Sequence, residues 1–263
     1  LHEVDFSIGR GEIVCLLGEN GAGKSTLMKF LTGVYKQDCG CIFYKGEELE
    51  LNGPRDAYEK GINIIFQEFN LCPNLSVMEN LFLGNENRTP YGLFSYGKSR
   101  KRAKELFDKL SIGIDAESRV AELNVANQQM VEIAKALAYD TQVLIMDEPT
   151  SALTSKEIST LFSIMKALKN RGVAIIFISH KLEEVLEISD RIVVLRDGRN
   201  CGDLPTDKAT KDQLVSLMVG REISNFYAKR KGSPSYEILL KVDGVTGNMI
   251  KDASFSVKKG EIV

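Results

Sequence analysis

Long apolar runs, an excess of one charge, an opening stretch like a signal peptide and a paired set of cysteines are all missing from this sequence. Each absence removes a class of function. The longest uninterrupted apolar stretches are short, such as Val173 to Ile178, against the roughly 20 residues a membrane-crossing helix needs. Any membrane role is therefore expected to come through a partner. The net charge is −2 over 263 residues, so no global field draws the chain to nucleic acid or acidic lipid. The opening residues LHEVDFSIGRGE mix charged and apolar side chains without the apolar core of a signal peptide. They also lack an initiator methionine, which suits a piece of a longer chain. Five scattered cysteines (Cys15, Cys39, Cys41, Cys72, Cys201) fit reduced thiols rather than a disulfide framework. Cys39-Gly-Cys41 could be half of a metal site, but no second Cys or His pair stands near it, so it reads as loop thiols.

What is present is a hydrophobic content of 43%, enough for a sizeable core, in short runs alternating with helical patterns. EIVCLLG reads as a buried strand and KSTLMKFLTG as a helix ending near Gly33. CIFYKGEEL and GINIIFQ are strand-like, and helical patterns dominate from about Ser76 to Tyr139. QVLIMDEP and VAIIFISH are continuously apolar, as strands buried on both faces of a parallel sheet are. Between them Ile158, Leu161, Phe162, Met165 and Leu168 recur at helical spacing. Thr154 and Glu157 form a candidate capping box, and Gly172 is a candidate stop. ISDRIVVLRDGRN is a strand turning at Asp197-Gly198, and KDQLVSLMVG is a last helix. The fold class expected is α/β with a mostly parallel sheet.

Residues 221–236 lose periodicity and gather charge, Gly, Ser and Pro, as a linker does; ILLKVDGVTG then restarts strand alternation. Residues 250–263, IKDASFSVKKGEIV, align with residues 1–14, LHEVDFSIGRGEIV, at an offset of 249. Phe255, Ser256, Gly260, Glu261, Ile262 and Val263 match Phe6, Ser7, Gly11, Glu12, Ile13 and Val14. A match in one register just after a linker points to duplication of a whole domain. The expected organisation is a first domain over 1–220, a linker over 221–236 and the start of a second domain over 237–263.

The stretch Gly18-Glu19-Asn20-Gly21-Ala22-Gly23-Lys24-Ser25-Thr26 fits G-x-x-x-x-G-K-[ST] and stands between a strand and a helix. Its glycines let backbone N–H groups close around phosphate oxygens, and the helix N-terminus adds partial positive charge. Lys24 supplies a full charge to the β- and γ-phosphates, and Ser25 a hydroxyl for Mg²⁺. In VLIMDE, Asp147 emerges at the carboxyl end of a buried strand to hold the Mg²⁺ water shell. Glu148 follows as a general base for the attacking water. His180, one of only two histidines, ends the next strand where a γ-phosphate sensor would sit. Gln67 ends NIIFQ and could reach the Mg²⁺ or the water.

The loop, Gln67, LNVANQQMVEIAKAL, LIMDEPTSALT and ISH together resemble the ATP-binding-cassette (ABC) ATPases over essentially the whole chain. DEPTSALT, QQMVEIAKAL, VLRDG and LMVGREI are similar to the ATP-binding subunits of bacterial monosaccharide importers of the ribose, galactose and xylose kind. The resemblance implies a P-loop NTPase cassette with an antiparallel β subdomain and a helical signature subdomain at about 76–140. It implies ATP and Mg²⁺ as cofactors, with Ser25, Gln67 and Asp147 at the metal. It further implies two cassettes in one full-length chain closing head to tail, transmembrane permease subunits driven through the segment after Gln67 and the helical region, and a periplasmic sugar-binding protein as indirect partner. The place implied is the cytoplasmic face of the inner membrane, held peripherally. Lys98, Arg100, Lys101, Arg102 and Lys104 are read as a solvated helix face, with no nucleic acid as partner.

The signature segment departs from the family's Leu-Ser-Gly-Gly-Gln: here it is Leu123, Asn124, Val125, Ala126, Asn127. The family serine gives a hydroxyl to the γ-phosphate across the interface, and Asn124 is longer and differently shaped. Two unequal sites are therefore expected, the P-loop of this cassette belonging to the hydrolytic one. The rival reading is an ABC ATPase uncoupled from transport, acting on DNA or ribosomes. Only 56 positions separate Gln67 from Leu123, too few for the long coiled coil of DNA-repair cassettes. The linker of about 16 residues is too short for the charged helical insert of ribosome-associated ones. A non-hydrolytic assembly module is disfavoured by the intact Lys24, Asp147, Glu148 and His180.

Overall fold

A computed structural model describes residues 1–110, 112–220, 237–247 and 250–261. The chain divides into two compact units, Leu1–Arg221 and Glu222–Val263. The linker expected over 221–236, and Ile262 and Val263 of the repeat, lie outside the described residues.

The first unit is built on six strands in the order β4-β5-β6-β1-β7-β8: β4 Ile62–Ile65, β5 Val143–Asp147, β6 Ala174–Ile178, β1 Ile13–Leu17, β7 Arg191–Arg196 and β8 Arg199–Pro205. The first five run parallel and β8 returns antiparallel at the edge. Successive side chains of a strand point to opposite faces, and both faces here are covered. Ile13, Cys15 and Leu17 enter one buried cluster while Val14 and Leu16 enter another. Burial on both faces is why these strands read as unbroken apolar runs. Burial also pushes the Cys15 thiol well above its ordinary pKa, so it behaves as a small apolar side chain.

Helices α1 (Lys24–Leu31), α2 (Pro54–Glu59), α6 (Ser155–Asn170), α7 (Leu182–Ile188) and α8 (Lys211–Val219) connect or flank the strands, while α3 (Val77–Phe82), α4 (Tyr96–Leu110) and α5 (Val125–Leu137) fall in the region with helical patterns. Helix α6 starts at the capping box foreseen: Glu157 Oε2 accepts from both the N–H and the hydroxyl of Thr154 at 2.8 Å. Gly172, at φ 86°, follows its end. CIFYKGEEL, read above as one extended stretch, is instead a hairpin of β2 (Phe43–Tyr44) and β3 (Glu47–Glu48). Its turn places Lys45 and Gly46 at φ 53° and 85°, the two left-handed positions of a tight hairpin turn. Among the described residues no helix is long and apolar enough to cross a membrane.

In the second unit, β9 (Ile238–Val245) pairs antiparallel with β10 (Ala253–Lys258). The aligned segments share more than letters. Glu3 and Asp252 both adopt positive φ, at 51° and 53°, and so do Gly11 and Gly260, at 67° and 77°. Glu12 Oε2 accepts from Gly9 N–H at 2.6 Å, and Glu261 Oε2 from Lys258 N–H at 2.8 Å. All four pairs stand at the offset of 249.

Candidate functional site

Between the end of β1 and the start of α1, the chain turns sharply through Gly18–Gly23. A Cβ on Gly18 would lie 2.4 Å from the carbonyl oxygen of Leu195, which leaves no room for another residue. Gly23 occupies the N-cap of α1 at φ 104°, and no side chain caps the helix. The first-turn amides of α1 therefore remain available to an anion, where the helix dipole favours one. Lys24 Nζ lies over the loop, donating to the carbonyls of Gly18 at 2.7 Å and Glu19 at 3.0 Å. Burial lowers its pKa, opposed by the charges of Glu148 and Asp147. Ala22 is buried and its N–H is engaged by the Glu19 carbonyl at 3.1 Å, so it forms the floor of the turn. Gly21 and Ser25 are exposed, and Thr26 is half-buried beside them.

The parallel register brings the ends of β4, β5 and β6 together. Asp147 closes β5, and its carboxyl pKa is raised by burial and by Glu148, with Lys24 opposing. Glu148 then adopts φ 47°, a left-handed conformation costly for a non-glycine residue and retained where the surroundings over-determine it. Its N–H donates to the carbonyl of Ile178, the last residue of β6, at 3.0 Å. Gln67 Nε2 donates to Glu148 Oε2 at 3.3 Å, and His180 Nδ1 stands 3.1 Å from Oε1. Three residues from three strand ends thus meet at one carboxylate. They border an open cleft of about 630 Å³ with Gly18, Glu19 and Asn20. Met218 of α8 completes the rim; its place in an ordinary amphipathic helix carried no signal for this.

Leu123, Asn124, Val125, Ala126 and Asn127 stand elsewhere, at the N-terminus of α5, and none borders this cleft. Asn124 is the N-cap, its Oδ1 accepting from the Asn127 N–H at 2.8 Å. Gln128 Nε2 ties back to the Leu123 carbonyl at 3.0 Å. Two residues of α5 were not singled out in the sequence. Glu132 Oε1 accepts from the N–H of Asn70 at 2.7 Å, and Lys135 Nζ donates to the Asn70 carbonyl at 2.8 Å. The segment three residues past Gln67 is thus held by the helix that carries Asn124. Burial raises the Glu132 pKa; the signal available was an acidic residue inside the apolar run MVEIAKAL.

The family model described as ABC transporter matches residues 1–151. The chain is 46% identical over 265 residues to a putative ribose/galactose/methyl galactoside import ATP-binding protein of Geobacillus kaustophilus, covering 100% of this chain and 52% of that protein. It is 48% identical over 264 residues to the ribose import ATP-binding protein RbsA 1 of Rubrobacter xylanophilus, again covering 100% of this chain and 52% of the relative. The chain thus spans about half the length of the curated relatives it matches. Among solved structures, an ATP-binding subunit of an ABC transporter aligns with a TM-score of 0.68 at 30% identity, covering 82% of this chain and 92% of that one. An ATP-binding cassette in its ADP conformation aligns at 0.72 and 24% identity, covering 83% and 91%.

Proposed function

The chain belongs to the ABC transporter family, and from that premise we propose that it binds and hydrolyses ATP to energise monosaccharide import, as a translocase. The observation that carries this is the Glu148 carboxylate held between Gln67 and His180 at the mouth of the P-loop cleft. Lys24 and the backbone amides of Gly18 to Thr26 other than that of Ala22, which the Glu19 carbonyl already holds, bind the phosphates. Glu148 takes a proton from the attacking water as the water oxygen bonds to the γ-phosphorus and the bond to the bridging oxygen breaks, releasing ADP. Gln67 and His180 keep the carboxylate aimed, and His180 also faces the γ-phosphate. Ser25, Gln67 and Asp147 offer hydroxyl, amide and carboxylate oxygens, the hard donors that suit Mg²⁺. The Gln67 amide nitrogen already faces Glu148, which leaves its oxygen as the acceptor. When bound, Mg²⁺ neutralises charge on the β- and γ-phosphates.

Residues 237–263 begin a second cassette in the full-length chain, supported by the repeated turn geometry. Each ATP then lies between the P-loop of one cassette and the signature segment of the other. Leu123, Asn124, Val125, Ala126 and Asn127 serve the site whose P-loop lies in the second cassette, and that site turns over slowly. The protein sits on the cytoplasmic face of the inner membrane, docked on transmembrane permease subunits that receive sugar from a periplasmic binding protein. The monosaccharide class rests on relatives 46% and 48% identical to this chain that are named as ribose or galactoside import ATP-binding proteins. Co-purification of the full-length protein with a multi-span permease tests the assignment. A protein recovered with ribosomes or DNA and no permease would sink it.

A further inference from the structure

One buried carboxylate close to the cleft has no part in the chemistry above. Glu184, in the first turn of α7, is 8% exposed. Its Oε2 accepts from the hydroxyl of Thr150 at 2.6 Å and from that of Ser179 at 3.2 Å. Thr150 and Ser179 are themselves 1% and 3% exposed. Lys181 closes the ring. Its ammonium lies 3.0 Å from Glu184 Oε1 and donates to the Thr150 carbonyl at 3.2 Å, while its backbone N–H donates to Ser179 Oγ at 3.1 Å.

Thr150 stands two residues past Glu148, and Ser179 and Lys181 flank His180. We propose that Glu184 is a positioning residue for hydrolysis: through Thr150 and Ser179 it fixes the segment carrying Glu148 against the segment carrying His180. This rests on the roles given above to Glu148 and His180. A buried ion pair by itself adds little net stability. A carboxylate that collects hydroxyls from two different segments fixes their spacing, because leaving any member unpaired is costly. Glu148 needs such support, since its left-handed backbone is not held by local preference. Contact between His180 and Glu148 across 3.1 Å depends on that spacing, and misplacement by about 1 Å can cost a hundredfold in rate.

The test is single-turnover ATP hydrolysis by the full-length protein, with ATP affinity measured alongside. Thr150→Val, which removes one hydroxyl donor at nearly constant volume, is expected to slow hydrolysis about tenfold or more, with ATP affinity within about twofold. Thr150→Ser restores the hydroxyl and recovers most of the rate. In a His180→Ala background Thr150→Val adds less than about a twofold further loss, because the two act as a unit. If Thr150→Val leaves the rate intact, or multiplies the His180→Ala loss by its full factor, the proposal is wrong. Should Thr150→Val not fold, Ser179→Ala, which removes the second hydroxyl from Glu184 Oε2, must show the same rate loss with affinity retained; a wild-type rate overturns the proposal. If His180→Ala itself hydrolyses ATP at the wild-type rate, the underlying reading of the site fails instead.

Discussion

Replacing Glu148 by Gln removes the proposed base while disturbing little else. The side chain is held by Gln67 on one oxygen and His180 on the other, and the backbone by the Ile178 carbonyl. The amide keeps the shape: its oxygen can accept from Gln67 and its NH2 can donate to His180 Nδ1 in the tautomer that leaves that nitrogen unprotonated, so both contacts can be kept. The loop of Gly18–Gly23 and Lys24 is untouched, so ATP binding is retained. Loss of a general base costs roughly 10²–10⁴ in rate at its own site. What remains then comes from the other site, where Asn124 replaces a serine donor. By analogy with an oxyanion hole, that substitution costs about 2.7–4 kcal/mol of transition-state stabilisation, or 10²–10³ in rate. Phosphate release by the full-length protein at saturating ATP should fall by about a hundredfold or more, with fluorescent-nucleotide affinity preserved. More than half of the activity surviving would refute both the role of Glu148 and the assignment of the faster site.

Three further outcomes follow from the geometry. Asn124→Ala removes the cap of α5, costing about 1 kcal/mol and lowering Tm by about 2–4 °C in thermal unfolding. Asn124→Ser, an equally good cap, should leave Tm unchanged and raise the residual hydrolysis of the Glu148→Gln protein; a fall in Tm to the alanine value contradicts the capping account. Gly18→Ala forces a methyl to 2.4 Å from the Leu195 carbonyl and should abolish ATP binding in a titration, whereas normal affinity would show that the turn is not tightly packed. Asp147 has a pKa raised in the folded chain, so the folded state holds its proton more tightly than the unfolded one. Its ionisation therefore costs stability as pH rises from the ordinary value through the folded one, and the cost is complete above it. Asp147→Asn should raise Tm at neutral pH without nucleotide or Mg²⁺, with the difference vanishing below about pH 4; an unchanged or lower Tm at neutral pH argues against a desolvated carboxylate.

The parallel sheet was legible because strands buried on both faces have no polar register to break their apolar runs. Helix α6 was legible because Thr154, Glu157 and Gly172 mark its ends chemically. Helices α2 and α7 were not foreseen: each is under two turns long, too short for periodicity to stand out. The hairpin at Lys45-Gly46 was merged into one extended stretch because a two-residue turn costs the pattern almost nothing. At the site, the residue types Gly18, Lys24, Asp147, Glu148, His180 and Gln67 could be picked out at strand and loop ends. That Glu148 would be the point where Gln67 and His180 meet depends on strand order, which no local pattern states. The contacts of Asn70 with Glu132 and Lys135, and that of Thr150 with Glu184, link residues 34 to 65 positions apart and exist only in the folded chain.

The most direct test is sugar uptake by liposomes containing the full-length protein and its permease, with the periplasmic binding protein outside and ATP enclosed. Labelled monosaccharide should accumulate only with ATP and Mg²⁺, ATP consumption should rise when sugar-loaded binding protein is added, and Glu148→Gln should abolish both. Steady ATP hydrolysis indifferent to every monosaccharide and to the binding protein would contradict the account.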